Sequence, residues 1–426
     1  MSEDATVASG GSDAREFDVV VFGASGFVGE LTTRYLADHA PAGTRIALAG
    51  RSETKLVAVR ERIGGAAAGW PVIIADADSP ASLDAMVART RVVCTTVGPY
   101  LKYGEALVVA AATAGTDYVD LTGEVPFVRF SIDKAHDIAA ASGARIVHSC
   151  GFDSVPSDLT VWALYRTIAD DGAGELTDTT LVLQSVRGGV SGGTIDSVRV
   201  IAEQAKDPQV RRLMLNPQAL SSGPGSPPRA GMRSEPSDLN IVSARKVDPS
   251  LSGTLAPFFM ASHNTRIVRR SNTLLDNAYG ENFHYGETMN VGDIPVVSAV
   301  TAGLVGVGTG AFLGAMSLRP TRILLDRILP APGDGPNKKT RDRGHFTVET
   351  FTTSTTGRRY RSRFRAHGDP GYKATAVMLG ESALTLALDR DSLPERHGVL
   401  TPAVAMGDAL IARLRRAGCT IDAVAL

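Results

Sequence analysis

The chain has 426 residues, 43% of them hydrophobic, enough for about two to three domains with well-developed cores. A formal net charge of -1 excludes a generally basic nucleic-acid binder. The three cysteines, Cys94, Cys150 and Cys419, are far apart and form no CxxC pair, so neither a disulfide framework nor a metal site is indicated and a reducing cytoplasm is the expected compartment.

Residues 1–16, rich in Ser, Gly, Ala and acids, read as a disordered tail. Val19, Val20, Val21 and Phe22 then form the β-branched and aromatic run that a strand buried on both faces requires. Gly23, Gly26 and Gly29 follow at three-residue spacing, with Ser25, Phe27 and Val28 between them. Such a turn tightens the chain, lets backbone approach a pyrophosphate and packs the next helix against the strand, with its N–H groups facing the phosphates. An ordinary strand-to-helix turn is the alternative.

Strands and helices then alternate: helix 27–39, strand 45–49, helix 53–62, strand 71–76, helix 80–89, strand 91–97, helix 104–114, strand 117–120, helix 127–142 and strand 145–149. Right-handed βαβ crossovers make this α/β, a Rossmann-type doubly wound parallel sheet over residues 17–153, with six strands. Arg51 ends the second strand, where a ribose 2′ position would lie. A guanidinium there, helped by Ser52 and Lys55, suits a 2′-phosphate and so NADP(H) over NAD(H); a solvated surface Arg is the alternative. Asp76 closes the third strand, placed either to bond the adenine amino group or to cap the next helix. After the fourth strand, Val97, Gly98, Pro99 and Tyr100 would pass the nicotinamide, with Tyr100 as proton donor or stacking wall. The next two strands end in Asp120 to Glu124 and in Ser149 to Asp153.

Gly23-Ala-Ser-Gly-Phe-Val-Gly29, Ala49-Gly-Arg51, Val97-Gly-Pro-Tyr100, Tyr118-Val-Asp-Leu-Thr-Gly-Glu124, Cys150-Gly-Phe-Asp-Ser-Val-Pro-Ser-Asp158 and Gly398-Val-Leu-Thr-Pro-Ala403 together resemble the saccharopine dehydrogenase-like oxidoreductases. Within them the pattern is similar to the mycobacterial trans-acting enoyl reductases, as are Asn264 to Asn272 and Arg343 to Thr350. The resemblance implies an NADPH-linked reduction of an enoyl thioester of a polyketide in complex-lipid (phthiocerol-type) assembly, which the synthase's own modules omit. It also implies that residues 372–426 pack back on the nucleotide domain.

Beyond Asp153 the rhythm changes to a second, α+β domain over residues 154–371, with a substrate or oligomerisation role in a homodimer and a mostly antiparallel sheet. Its readable elements are helix 157–167, strand 178–187, a turn at 191–194, helix 195–205, a Pro- and Gly-rich surface loop at 221–235 and a hairpin of 345–354 with 358–366. Residues 294–318 carry no charge over 25 positions but five glycines, which suits a buried hairpin, a membrane-contacting or acyl-binding element, or a span. Between Arg319 and Arg365 twelve Lys or Arg face four acids, and alternation places Arg359, Arg361, Arg363 and Arg365 on one side of the hairpin. That excess fits an anionic membrane surface, at the inner face of the plasma membrane, or an acidic acyl carrier protein of a polyketide synthase; a solvated face balanced by acids elsewhere is the alternative. Helices 373–388 and 401–416 close the chain.

Enoyl reduction needs a hydride at the carbon β to a carbonyl, an oxyanion partner and a proton for the α carbon. No Tyr-x-x-x-Lys exists here. The residues near the expected nicotinamide are Tyr100, Asp120, Glu124, Cys150 and Asp153, with Tyr100 first as acid or oxyanion partner and Asp120 and Glu124 as ribose or proton-relay groups. Carboxylates at strand ends also serve as caps, and solvent can supply the proton. Two other functions remain open: a saccharopine-type amino-acid dehydrogenase, for which Arg187 and Arg199 would bind carboxylates, and a non-catalytic NADPH-binding scaffold.

Overall fold

The computed structural model describes residues 15–188, 203–204, 206–225, 235–292, 298, 301 and 337–426. In chain order the strands are β1 (Phe17–Phe22), β2 (Ile46–Gly50), β3 (Val72–Ile74), β4 (Thr90–Thr95), β5 (Asp117–Val119), β6 (Arg145–Val147), β7 (Leu176–Arg187), β8 (Val242–Ser243), β9 (Thr254–Pro257), β10 (His284–Asn290), β11 (His345–Ser354), β12 (Arg359–His367), β13 (Gly398–Leu400) and β14 (Thr420–Ala425).

The first sheet runs β13-β6-β5-β4-β1-β2-β3 with every pairing parallel. It therefore has seven strands where the βα rhythm predicted six. The seventh is three residues from the C-terminal region, too short and too isolated from that rhythm to stand out. Side-chain parity in β1 explains the layers. Val19 and Val21 bury with Leu36 of helix Phe27–His39 and Leu379 and Leu384 of helix Lys373–Leu388, whereas Val20 and Phe22 bury with Leu83, Leu107 and Ile132 on the opposite face.

The second sheet runs β14-β12-β11-β7-β10-β9-β8 and is antiparallel except for β7 with β10. The predicted hairpin forms β11 and β12, and its alternation holds: Tyr360, Ser362, Phe364 and Ala366 are buried while the intervening arginines lie on the other face. Those arginines are largely paired, Arg359 with Asp248 at 2.9 Å, Arg363 with Glu349 at 2.8 Å and Arg361 with Glu349 at 3.5 Å.

Between the sheets lies helix Ala261–Leu274, whose buried side carries three arginines. Arg270 donates to the carbonyls of Leu220 at 2.8 Å and Val399 at 2.6 Å, Arg269 to that of Tyr285 at 2.7 Å, and Arg266 pairs with Asp238. One helix thus ties β13 of the first sheet to β10 of the second. The turn at 191–194 and residues 226–234 of the expected loop lie outside the described residues, as do nearly all of 195–205 and 294–318. Among the described residues no helix is long and apolar enough to cross a membrane.

Candidate functional site

Strand order reverses between β1 and β4, and open α/β sheets bind nucleotides beyond the carboxyl ends of their strands at such a reversal. The glycine turn lies there. Gly23 has φ +88°, and a Cβ on it would meet Val97 Cγ2 at 2.7 Å and Thr96 Oγ1 at 2.9 Å, so only glycine brings the β1 and β4 loops this close. Its carbonyl accepts the Gly26 amide at 2.9 Å and the Thr96 hydroxyl at 3.2 Å. A Cβ on Gly29 would sit 2.1 Å from that same carbonyl oxygen, whereas one on Gly26 would meet it only at 3.3 Å. Gly29 is thus the point of strand–helix contact, and Gly26, exposed beside Ser25, is left facing outward.

No side chain caps the first turn of helix Phe27–His39, whose opening residues are Phe27 and Val28. Its one acid, Glu30, is neutralised by Arg62 at 3.0 and 2.5 Å, which holds the carboxyl below its usual range. Among the described residues no unpaired anion then competes for the positive end of the helix, which faces the crevice. Phe27 is wedged edge-on against Tyr372, ring centroids 4.8 Å apart, with the Arg341 guanidinium 5.2 Å over its ring. Arg341 comes from helix Lys338–Arg343, which Asp342 anchors through Lys338 at 2.5 Å and Lys373 at 2.7 Å. In sequence it is one cation of a basic run, and nothing local marks it as a neighbour of Phe27.

Arg51, directly after β2, is exposed and makes no ion pair with a described residue. Ser52 caps the helix that carries Lys55, accepting the Lys55 amide at 3.4 Å. Asp76 accepts the Asp78 amide at 3.1 Å in a turn, and Ser79 is the N-cap residue of the following helix. A turn closed to a Cβ at Gly23 and Gly29 and a cation at the end of β2 fit a 2′-phosphorylated dinucleotide.

Farther along the crevice, the peptide between Gly98 and Pro99 is cis. Tyr100 is 5% exposed, and its hydroxyl accepts the Leu121 amide at 3.1 Å and donates to the Thr95 carbonyl at 3.5 Å. Burial and the Asp120 charge push its pKa well above the usual phenol value. Glu124 accepts the amides of Tyr100 at 3.0 Å and Leu101 at 2.8 Å, so this carboxylate caps the loop after β4. Asp120 is saturated by Tyr118 Oη at 3.0 Å, His148 Nδ1 at 2.7 Å and the amides of Thr122 and Ser149. Burial raises the Cys150 thiol, whose Sγ points to the Val147 carbonyl at 3.5 Å. Sequence reasoning missed His148, Ser149 and His263. Ser149 has φ +62°, and its Oγ lies 2.8 Å from His263 Nε2 and donates to the Thr122 carbonyl at 2.6 Å. Burial drives His263 down to about 3, so it is neutral.

An aromatic wall borders this end. Phe152 packs against Phe346 with centroids 4.8 Å apart and against Phe258 at 6.3 Å, and Phe258 stacks edge-on against Phe259, which remains 55% exposed. A Cβ on Gly123 would lie 3.8 Å from Met260 Cε, which brings the wall to the end of β5.

A Mycobacterium tuberculosis protein is 53% identical to this chain, covering 97% of it and 98% of its own length. Trans-acting enoyl reductases of Mycobacterium tuberculosis and Mycobacterium bovis are 50% identical, covering 97% of this chain and 99% of their own. The chain belongs to the trans-acting enoyl reductase family. Residues 19–147 of this family member match the saccharopine dehydrogenase NADP binding domain, which spans β1 to β6. Apo saccharopine dehydrogenase (L-Glu forming) from Saccharomyces cerevisiae shares the fold at 15% identity, with a TM-score of 0.53 over 96% of this chain and 99% of its own. Homospermidine synthase of Legionella pneumophila, in complex with NAD, does so at 11% identity, with a TM-score of 0.51 over 97% and 92%.

Proposed function

We propose that this protein reduces the C=C bond of an enoyl thioester with NADPH, acting in trans on a polyketide or acyl intermediate of complex-lipid assembly. The observation that carries the reading is the crevice at the β1/β4 reversal, where Gly23 and Gly29 admit no side chain and Arg51 stands at the end of β2. Gly23, Ser25, Gly26, Phe27, Val28 and Gly29 cradle the pyrophosphate; Arg51, Ser52 and Lys55 hold the 2′-phosphate; Asp76 faces the adenine; and Val97 to Tyr100 border the nicotinamide. When bound, the dinucleotide supplies the hydride. Tyr100, Asp120 and Glu124 act as positioning residues, because their polar atoms fasten the β4, β5 and β6 loops to one another. Exposed Phe259 and partly exposed Phe152, joined through buried Phe258, give the acyl chain an apolar surface beside the strand ends.

The proposed division is a nucleotide unit of 17–153 completed by part of 372–426, and a substrate unit within 154–371. A carrier domain with acidic surface fits Arg365 and the exposed Lys338, Lys339 and Arg343. Reversing these four charges should slow reduction of a carrier-bound substrate and spare a free thioester; equal effects on both would remove the docking idea. For the reaction itself, protein, NADPH and an α,β-unsaturated thioester are mixed and absorbance of the reduced nicotinamide is followed. Oxidation that needs the thioester supports the reductase, oxidation that needs an amino acid and a keto acid supports the saccharopine-type reading, and binding without turnover a scaffold.

A further inference from the structure

We propose that Asp153 is the acid that delivers the proton to the substrate's α carbon. The inference rests on the reductase reading and assigns the one step for which the residues bordering the nicotinamide have no obvious donor.

Each of the other acids at this end of the sheet is committed. Asp120 and Glu124 are fully buried and accept the hydrogen bonds that hold the loops. The Tyr100 hydroxyl is tied to two backbone groups, and Cys150 is buried against β6. Asp153 differs in two respects. It is partly rather than fully buried, and its carboxyl accepts no hydrogen bond from another described residue.

Its placement is tight on the protein side. A Cβ on Gly151 would lie 2.9 Å from Asp153 Oδ2, 2.6 Å from Leu121 Cδ2 and 2.9 Å from Thr375 Cγ2, so the carboxyl rides over a glycine between the end of β5 and helix Lys373–Leu388. The turn that carries it is pinned on both sides. The Phe152 amide donates to Thr375 Oγ1 at 3.0 Å, and Ser154 Oγ donates to Asn264 Oδ1 at 3.1 Å. Phe152, next in sequence, begins the aromatic wall, so an acyl chain along that wall brings its thioester end to this carboxyl.

The charges that face it agree with an acid role. Among the described residues Asp120, on the loop after β5, is the charged group that acts on Asp153, and the Tyr100 phenol lies within reach of its charge. Burial, opposed by the nearby backbone amide and helped to a smaller degree by the Asp120 charge, lifts the Asp153 carboxyl to about 7, so it still carries its proton close to neutral pH. In the step itself, hydride adds to the β carbon and the C=C electron pair moves onto the thioester carbonyl as an enolate. The enolate's α carbon then takes the proton of the Asp153 carboxyl, the carbonyl reforms, and the carboxylate regains a proton from water.

The test combines a titration with turnover. In native protein carrying 13C-carboxyl aspartate, the resonance missing from Asp153→Asn should titrate near neutral pH. Asp153→Asn should bind NADPH as the native protein does, measured by nicotinamide fluorescence, yet reduce an enoyl thioester about 10²-fold more slowly in a single turnover. The native rate should fall as pH rises through the carboxyl's titration, and the variant's rate should be flat. Asp153→Ser, smaller than aspartate, serves if the Asn variant does not fold, and Asp153→Glu should recover part of the rate. Native protein that never oxidises NADPH with a thioester overturns the reductase reading and this proposal with it. Native turnover matched by both Asn and Ser variants, or an Asp153 resonance titrating in the ordinary aspartate range, overturns the proposal alone.

Discussion

Replacing Gly29 by Ala tests the contact on which the cofactor crevice is built. The new Cβ would lie 2.1 Å from the Gly23 carbonyl oxygen, 2.8 Å from its carbon and 2.9 Å from Ala24 Cα. All three are backbone atoms, so no side chain can swing away. Restoring an ordinary 3.4 Å contact requires helix Phe27–His39 and the turn to part by about 1.3 Å. The same carbonyl accepts Gly26 N and Thr96 Oγ1, so its retreat also strains the link between β1 and β4. Overpacking of this kind costs about 3 kcal/mol, and the loss of aligned amide–phosphate hydrogen bonds about another 1.4 kcal/mol, roughly tenfold in Kd. The assay pairs thermal melting with an NADPH fluorescence titration, and Gly26→Ala is the control. Its Cβ meets the Gly23 oxygen at only 3.3 Å, so it should leave the melting temperature nearly unchanged while weakening NADPH. A Gly29→Ala protein with native melting and native affinity would refute the close-approach account.

Arg51→Ala should weaken NADPH by about 2 kcal/mol, roughly thirtyfold, and leave NADH unchanged, as isothermal titration would show; equal losses for both would place the guanidinium away from the 2′-phosphate. Tyr100→Phe leaves the Leu121 amide without its acceptor, so it should cost about 1–3 kcal/mol of stability with a modest loss of turnover; a 10²-fold slower enzyme of native stability would instead make Tyr100 the proton donor. Buried Glu287 is raised from 4.5 to about 7 and buried Asp158 to about 6, mainly by desolvation. With the folded value raised, the stability of the protonated form is whole below the unfolded carboxylate range and is lost as pH rises through the folded values. Denaturant unfolding should therefore show stability falling between about pH 4 and 7, by order 3 kcal/mol for Glu287, and Glu287→Gln should flatten the upper part of that fall.

Local signals carried most of the nucleotide sheet. The valine run, the glycine spacing and Arg51 lie within 35 residues of one another, and the hairpin's alternation needs only near neighbours. What escaped depends on contacts distant in sequence. Helix Ala261–Leu274 buries Arg266, Arg269, Arg270 and Asn264, so no apolar stripe marks its inner face; the terminal amino groups of these side chains bond carbonyls and acids on other segments. Gly398 to Leu400 was readable as a motif but not as a strand, since three residues hold no period. His263 reaches Ser149 across 114 positions, and Arg341 reaches Phe27 from the other end of the chain. Tyr100 was read as following the fourth strand, and it opens the short helix Tyr100–Tyr103 five residues past the end of β4, yet the direction of its hydroxyl is set by the Leu121 amide, which its own sequence neighbours do not specify.

The most direct test of the central claim is one isotope experiment. The protein is incubated with NADPH carrying deuterium at both C4 positions of the nicotinamide and an α,β-unsaturated thioester in ordinary water, and the product is read by mass spectrometry. The account predicts a saturated thioester with one deuterium at the β carbon and none at the α carbon. Unchanged thioester, or a reduced product free of deuterium, would contradict it.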